Sequence, residues 1–233
     1  MVSVLVLVVL GLCILAGYYR GVIYSALSIG ITVVSFFLAL LMVPVLAGGV
    51  KSNESLYGSM LYYFEGYEYI NETAVELVHD PASDVSDEEL AVIVENADMP
   101  LPLGRAVTRN IQNLAYAKDD IVTLGDYFNQ TIVDVVINIL SLLALFVLFR
   151  VLFGFILRTV DYASRGLPVL RRFDPLFSCG IGFLHGVLLL YILFLVAPIL
   201  LTIDTKLGGY LVDSPIGGFF YRMNPLLWMI PTT

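Results

Sequence analysis

The residues best placed to do chemistry are a few polar side chains inside long apolar stretches. Asp134 and Asn138 lie one helical turn apart in one stretch, and His185 lies deep inside another. Polar and ionisable groups in a membrane are costly, which makes each of these residues a functional candidate. Asp134 fits either a structural bond to a region outside the membrane or a proton or cation role. His185 fits either a neutral, hydrogen-bonded imidazole or a proton relay.

The sequence carries no pattern typical of a catalytic or metal site. No cluster of His, Cys and carboxylate residues has the spacing of metal ligands, and no Gly-rich phosphate loop follows a strand. A membrane-embedded protease needs a nucleophile and a base at matched depth, and the one pair that can be imagined, His185 with the serines of the second apolar stretch, is not favoured by the sequence. We therefore predict a non-enzymatic protein with no catalytic residue, cofactor or metal.

Composition and charge indicate a membrane protein with an acidic part outside the bilayer. Hydrophobic residues make up 59% of the 233 residues, against about 45–50% in soluble domains. Residues 48–129 hold 15 of the 20 acidic residues and four basic ones, a net charge of −11. Because phosphate contacts need clustered Lys and Arg, this acidic region argues against nucleic acid as a partner.

Four stretches are apolar enough to cross about 30 Å of hydrocarbon, which takes about 20 residues. They are residues 2–19, 22–47, 132–157 and 176–203. Only Arg20 and Gly21 separate the first two stretches, which predicts an antiparallel helical hairpin, since glycine adopts the conformations that a tight reversal needs.

The expected fold class is an all-α membrane protein. It has four transmembrane helices and a mostly helical, acidic extracytoplasmic insertion between helices 2 and 3. The predicted domains are the hairpin 1–47, the insertion 48–129, the region 130–203 with helices 3 and 4, and an extracytoplasmic interfacial tail 204–233.

A basic linker at 158–175 joins helices 3 and 4, and it sets the predicted orientation. It contains Arg158, Arg165, Arg171 and Arg172. Connections rich in Lys and Arg stay in the cytoplasm. We therefore expect this linker and Arg20 inside, and both termini and residues 48–129 outside.

Local signals predict short helices outside the four stretches. Ser86 followed by Glu89 is a capping-box pattern, which opens a helix that runs to about Asn96. Residues 103–118 form a further amphipathic candidate. Ser214 before Pro215 is a helix-start pattern in the tail.

Small residues recur at helical spacing in two of the apolar stretches. Ser25, Ser28, Thr32 and Ser35 form a stripe in the second stretch, and Ser178, Gly182 and Gly186 are spaced by four in the last. Small residues let helices approach closely in lipid. Both sets predict helix packing, although the first also fits the lining of a hydrophilic pathway. The partner of the second set is either the second stretch or another copy of the chain.

Two motifs next to these stretches resemble a known family. Gly17-Tyr-Tyr-Arg20-Gly21 and the following Val22-Ile-Tyr-Ser-Ala-Leu-Ser28 resemble the Arg-Gly hairpin and second-helix start of the colicin V production protein (CvpA) family. The run from Asp174 to Gly186 resembles the opening of that family's last membrane helix, with Pro175, Ser178 and His185 as departures. Tyr221-Arg-Met-Asn224-Pro225-Leu-Leu227 resembles a tail motif of longer members.

The resemblance implies a multi-pass protein of the bacterial cytoplasmic (inner) membrane, linked to colicin V toxin production and envelope homeostasis. It implies no established reaction. We expect a membrane assembly or partner-binding protein, with the lipid bilayer, a second copy of the chain and an envelope protein on the outer face as its partners. The alternative is a small transporter or channel that uses the stripe of helix 2 with Asp134 and His185.

Overall fold

The computed structural model describes residues 2–63, 77–119, 121–159, 174–203 and 205–232, and the regular elements in these ranges are helical. The four arginines of the predicted basic linker lie outside the described residues or have no described side chain. The cytoplasmic position of that linker therefore stays a prediction.

Nine α-helices are described, with four short 3₁₀ turns among them. The helices are α1 Val2–Lys51, α2 Glu54–Tyr63, α3 Asp87–Asn96, α4 Leu103–Gln112, α5 Leu124–Thr159, α6 Asp174–Leu193, α7 Ala197–Ile203, α8 Thr205–Val212 and α9 Pro215–Arg222. The 3₁₀ turns are residues 77–79, Ala117–Asp119, Phe194–Val196 and Pro225–Met229.

Three helical stretches are long and apolar enough to cross a membrane. They are Val2–Lys51, Leu124–Leu157 and Asp174–Ile203, of 50, 34 and 30 residues. Many large apolar side chains on them are exposed, including Leu5, Leu41 and Phe155. Exposed apolar side chains along such helices suit contact with lipid, so the structure agrees with a membrane protein. The first two predicted segments are joined in the single helix α1.

The described chain divides into two compact units. The first unit comprises Met1–Val43, Leu142–Leu195 and Tyr210–Asn224, and the second comprises Pro44–Ser141, Val196–Gly209 and Pro225–Thr233.

Within the first unit, the early part of α1 runs antiparallel to α6. A Cβ at Gly17 would lie 3.1 Å from the Cα of Gly182, and one at Gly186 would lie 3.1 Å from Leu10. As the residue number falls along α1, the number of the facing residue in α6 rises. The two helices therefore point in opposite directions.

The later part of α1 runs parallel to α6. The N–H of Val22 donates to Asp174 Oδ1 at 2.9 Å, and Thr32 contacts His185. Since the two parts of α1 run in opposite directions along α6, the chain reverses between them. Gly21, with φ 80° and ψ 169°, breaks the helix at the position where the sequence predicts the hairpin turn.

The last predicted apolar segment is interrupted rather than continuous. Helix α6 gives way to the 3₁₀ turn Phe194–Val196 before α7 starts at Ala197. Pro198 explains the change, because proline has no N–H to donate and its ring conflicts with the carbonyl four residues earlier.

Within the second unit, α3 and α4 pack around a small apolar core. Leu90, Val107, Tyr127 and Phe128 are almost fully buried there. The capping box is confirmed, since Ser86 and Glu89 each bond to the other's backbone N–H and α3 ends at Asn96.

The predicted helix 103–118 is too long. Helix α4 ends at Gln112, because Leu114 takes a left-handed conformation with φ 47° that an α-helix does not continue through.

The helix start in the tail is confirmed within the first unit. The N–H of Gly217 donates to the Ser214 hydroxyl at 3.0 Å at the start of α9. Asn224 then donates to the carbonyl of Tyr191 in α6 at 2.8 Å. The tail segment therefore packs back onto a long apolar helix.

Candidate functional site

Asp134 in α5 is the centre of a polar cluster in the second unit. Its side chain is 4% exposed and forms an ion pair with Lys51, whose Nζ lies 3.1 Å from Oδ1. Tyr57 donates to the same oxygen at 2.9 Å, and Tyr116 donates to Oδ2 at 3.0 Å. We call these four residues the Asp134 cluster.

A second layer of hydrogen bonds supports the Asp134 cluster. The Asn110 side-chain amide donates to the Tyr116 hydroxyl at 3.0 Å and to the carbonyl of Thr232 at 2.8 Å. Gln130 donates to the Tyr57 hydroxyl. Burial, together with the neighbouring negative charge of Asp134, raises the pKa of Tyr116 and keeps its hydroxyl a donor.

The Asp134 cluster joins the consecutive helices α1 and α2 to the turn after α4 and to α5. Lys51 ends α1, Tyr57 belongs to α2, and Tyr116 follows α4. An open cavity of about 540 Å³ reaches the carboxylate, yet both carboxylate oxygens already accept from the chain's own donors. This geometry favours the structural interpretation of Asp134 over a proton or cation role.

Asn138, one turn further along α5, is also engaged in a structural bond. Its side-chain amide donates to the carbonyl of Pro231 at 3.0 Å, and the residue is 1% exposed.

His185 in α6 belongs to a different polar group in the first unit. Its Nε2 lies 2.9 Å from the Thr32 hydroxyl, and that hydroxyl donates to the Ser28 carbonyl at 3.0 Å. A hydroxyl has one proton, so with that proton on Ser28 the imidazole must donate to Thr32. His185 then cannot serve as the base that activates Thr32.

Arg150 of α5 extends this polar group, because its guanidinium donates to the Ser28 hydroxyl at 3.1 Å. A cavity of about 220 Å³ opens beside it. We call the polar lining of this cavity the arginine pocket, which consists of Arg20, Tyr24, Ser25, Ser28, Arg150 and His185. The Arg20 guanidinium lies over the Tyr24 ring, 5.1 Å from its centroid. Within the described residues, no carboxylate lines this pocket.

The structure buries the stripe of small residues in α1. Ser25, Ser28, Thr32 and Ser35 are each at most 6% exposed. Burial supports the packing interpretation and counts against a water-filled pathway along the stripe. Ser35 shows this most clearly, since its hydroxyl has no hydrogen-bond partner among the described residues.

The small residues of α6 face the first arm of α1. A Cβ at Gly182 would lie 2.5 Å from the carbonyl oxygen of Cys13, and one at Gly186 would lie 3.0 Å from the Cβ of Cys13. Ser178 is fully buried in the same contact. The partner of these small residues is therefore the segment before Gly21. The sequence predicts either the second apolar stretch or another copy of the chain.

Sequence reasoning found the polar residues but missed their partners. It assigned no role to Lys51 or Tyr116, and it did not pair Arg150 with Ser28. The one available signal was the occurrence of a charged residue inside an apolar run. Such a residue is expected to have a bonding partner, but the sequence does not indicate which residue that partner is. Within the described ranges, no three His, Cys, Asp or Glu side chains gather as metal ligands.

The fold and these two polar groups define a helical protein with three helices of membrane-spanning length. No protein-family model, curated protein or solved structure matches the chain. The resemblance to the CvpA family therefore rests on the sequence motifs alone and stays a prediction.

Proposed function

We propose that the chain is a non-enzymatic, multi-pass protein of the bacterial cytoplasmic membrane that acts as a membrane assembly or partner-binding protein. The observation that carries the proposal is that the polar side chains in the long helices are hydrogen-bonded within the chain. Asp134, Asn138 and His185 each bond to groups of the chain itself. Such bonds hold helices together. They engage these side chains in the structure rather than in a reaction or in transport.

The shape of α1 supports four crossings. A straight helix of its length would extend about 75 Å, more than twice the hydrocarbon core of a bilayer. The reversal at Gly21 divides it into arms 2–20 and 22–51, and each exceeds the shortest spanning length of about 17 residues. With α5 and α6, this gives four crossings, an acidic region 48–129 outside and Arg20 inside.

The acidic region is the part that we propose meets a partner in the envelope. Asp87, Glu88 and Glu95 are exposed on α3, and the Asp134 cluster holds the neighbouring turn against α5. Such a surface suits a partner of positive charge, because complementary potentials speed encounter and exclude wrong partners. The glycine contacts of α6 are used inside the chain, so a second copy would have to bind through another face.

Complementation of a strain that lacks the chain tests this proposal. The readouts are colicin V production and envelope homeostasis, the two processes that the resemblance implies, with envelope homeostasis measured as survival in detergent. We expect Glu88→Lys together with Glu95→Lys to abolish complementation, because the pair replaces two exposed negative charges of α3 by positive ones. We expect His185→Gln to complement, because glutamine keeps a side-chain donor for Thr32 and has no titratable group.

The opposite pattern would contradict the proposal. Loss of complementation by His185→Gln at normal protein levels, with full activity of the charge-reversal variant, would favour transport or catalysis through His185. Single cysteines at positions 32 and 35, which are fully buried and do not line the arginine pocket, provide an independent check. Aqueous thiol reagents should fail to label them, and labelling of both would support the transporter alternative.

A further inference from the structure

The arginine pocket carries positive charge that no carboxylate among the described residues of its lining balances. Arg20 and Arg150 both face the cavity, and the other polar lining groups are hydroxyls and an imidazole. Ser28 supplies a hydrogen-bond partner for Arg150, but this partner is neutral. Asp174, the acidic residue at the start of α6, is bonded to the N–H of Val22 and does not line the cavity.

A guanidinium group without counter-charge is expensive in an apolar helical bundle, and this cost applies to the half-buried Arg150. Arginine keeps its charge in proteins, so it cannot lower this cost by losing a proton. Removing an ion from water costs several kcal/mol unless an opposite charge and hydrogen bonds replace the lost solvation. A bound anion would supply both.

The size and depth of the pocket limit what this anion can be. The cavity of about 220 Å³ is far larger than the roughly 10–15 Å³ that one water molecule needs. Arg20 lies at the turn, whereas Ser28 and Arg150 lie about 10 Å of helix rise further in. The two long arginine side chains can approach one group from these two levels, and a group with several oxygens offers each of them its own acceptor, whereas a chloride ion is a single acceptor atom.

The donors match a phosphate group best. Guanidinium groups bind phosphate oxygens through paired N–H donors, and the hydroxyls of Ser25 and Tyr24 line the same cavity. We propose that the arginine pocket binds one phosphate group through Arg20 and Arg150. This phosphate is either the headgroup of an anionic lipid or free inorganic phosphate, and the site is independent of the partner surface proposed above.

Binding to the purified full chain in nanodiscs tests the site. In one arm, native mass spectrometry counts phosphatidylglycerol molecules retained per chain, with phosphatidylcholine as the neutral comparison. In the other arm, equilibrium binding of labelled inorganic phosphate is measured in phosphatidylcholine nanodiscs. We expect one bound phosphate group per chain, and at least about tenfold weaker binding after Arg150→Gln or Arg20→Gln, because each loses a charged hydrogen bond.

Arg109→Gln is the matched control, since Arg109 is an exposed arginine of α4 and should leave binding unchanged. Arg150→Lys keeps the charge and should retain part of the affinity, which separates loss of binding from loss of fold. Arg20 is exposed, so Arg20→Gln tests the site without disturbing packing.

Each outcome decides the proposal. Retention of phosphatidylglycerol without binding of labelled phosphate supports a lipid headgroup, and binding of labelled inorganic phosphate in phosphatidylcholine nanodiscs supports a free anion. Equal binding by the wild type, Arg150→Gln and Arg20→Gln in both arms would overturn the site.

Discussion

The Asp134 cluster and the arginine pocket both place charged side chains in long apolar helices, but the charges are balanced differently. Asp134 receives an ammonium and two hydroxyl groups from its own chain. Arg150 receives one hydroxyl, and Arg20 lies over an aromatic ring. A charge whose partners all come from the chain stabilises the fold, whereas one that lacks a counter-charge is available to a ligand. The Asp134 cluster therefore stabilises its unit, whereas we propose that the arginine pocket of the other unit binds a ligand.

Removing the carboxylate of the Asp134 cluster should have the largest effect on stability. Asp134→Ala leaves Lys51 and two tyrosine hydroxyls without their acceptor, and breaking such a buried pair costs about 3 kcal/mol or more. The free energy of unfolding in detergent micelles titrated with dodecyl sulfate measures this loss. Glu95→Ala, an exposed carboxylate on α3, is the control and should change the value by about 0.5 kcal/mol at most. Equal effects of the two variants would show that the Asp134 cluster does not hold the fold.

Adding a methyl group at the contact between α6 and α1 should have the next largest effect. Gly182→Ala places a Cβ 2.5 Å from the backbone oxygen of Cys13, and overpacking of this kind costs about 1–3 kcal/mol. Gly180→Ala in the same helix meets no atom within 4 Å. The free energy of unfolding of that control should be unchanged or rise by up to about 1 kcal/mol, because alanine stabilises a helix more than glycine does. The same unfolding titration compares them, and a smaller loss at position 182 than at 180 would disprove the close contact.

The smallest expected effect on stability is the difference between replacing Ser28 and replacing Ser35, two serines of the same stripe in α1. Ser28→Ala removes the hydroxyl that accepts from Arg150 and should cost about 1 kcal/mol. Ser35→Ala removes a buried hydroxyl without a partner in the described chain, so it should be neutral or slightly stabilising. If both substitutions cost the same, the bond between Arg150 and Ser28 contributes nothing to stability.

Local features of the fold could be predicted from the sequence because neighbouring residues determine them. The capping box of Ser86 and Glu89, the helix start at Pro215 and the break at Gly21 each depend on a few adjacent positions. The length of the helix after Pro102 could not be predicted, because Leu114 gives no sign of its left-handed conformation.

The partners in the two polar groups could not be predicted, because they lie far apart along the chain. Lys51 and Asp134 are 83 residues apart in the numbering, and Ser28 and Arg150 are 122 apart. Helical spacing shows which residues share a face, but not which helix packs against that face. The same gap explains why Gly182 was not assigned to the first arm of α1.

Labelling of single cysteines in living cells tests the proposed four crossings most directly. Ser3→Cys, Tyr19→Cys and Glu88→Cys are placed separately in a chain with Cys13→Ala and Cys179→Ala, and an impermeant thiol reagent is added. We predict that positions 3 and 88 are labelled in intact cells, and that position 19 is labelled only after the membrane is opened. Labelling of positions 3 and 19 from the same side would contradict the hairpin and, with it, the four crossings.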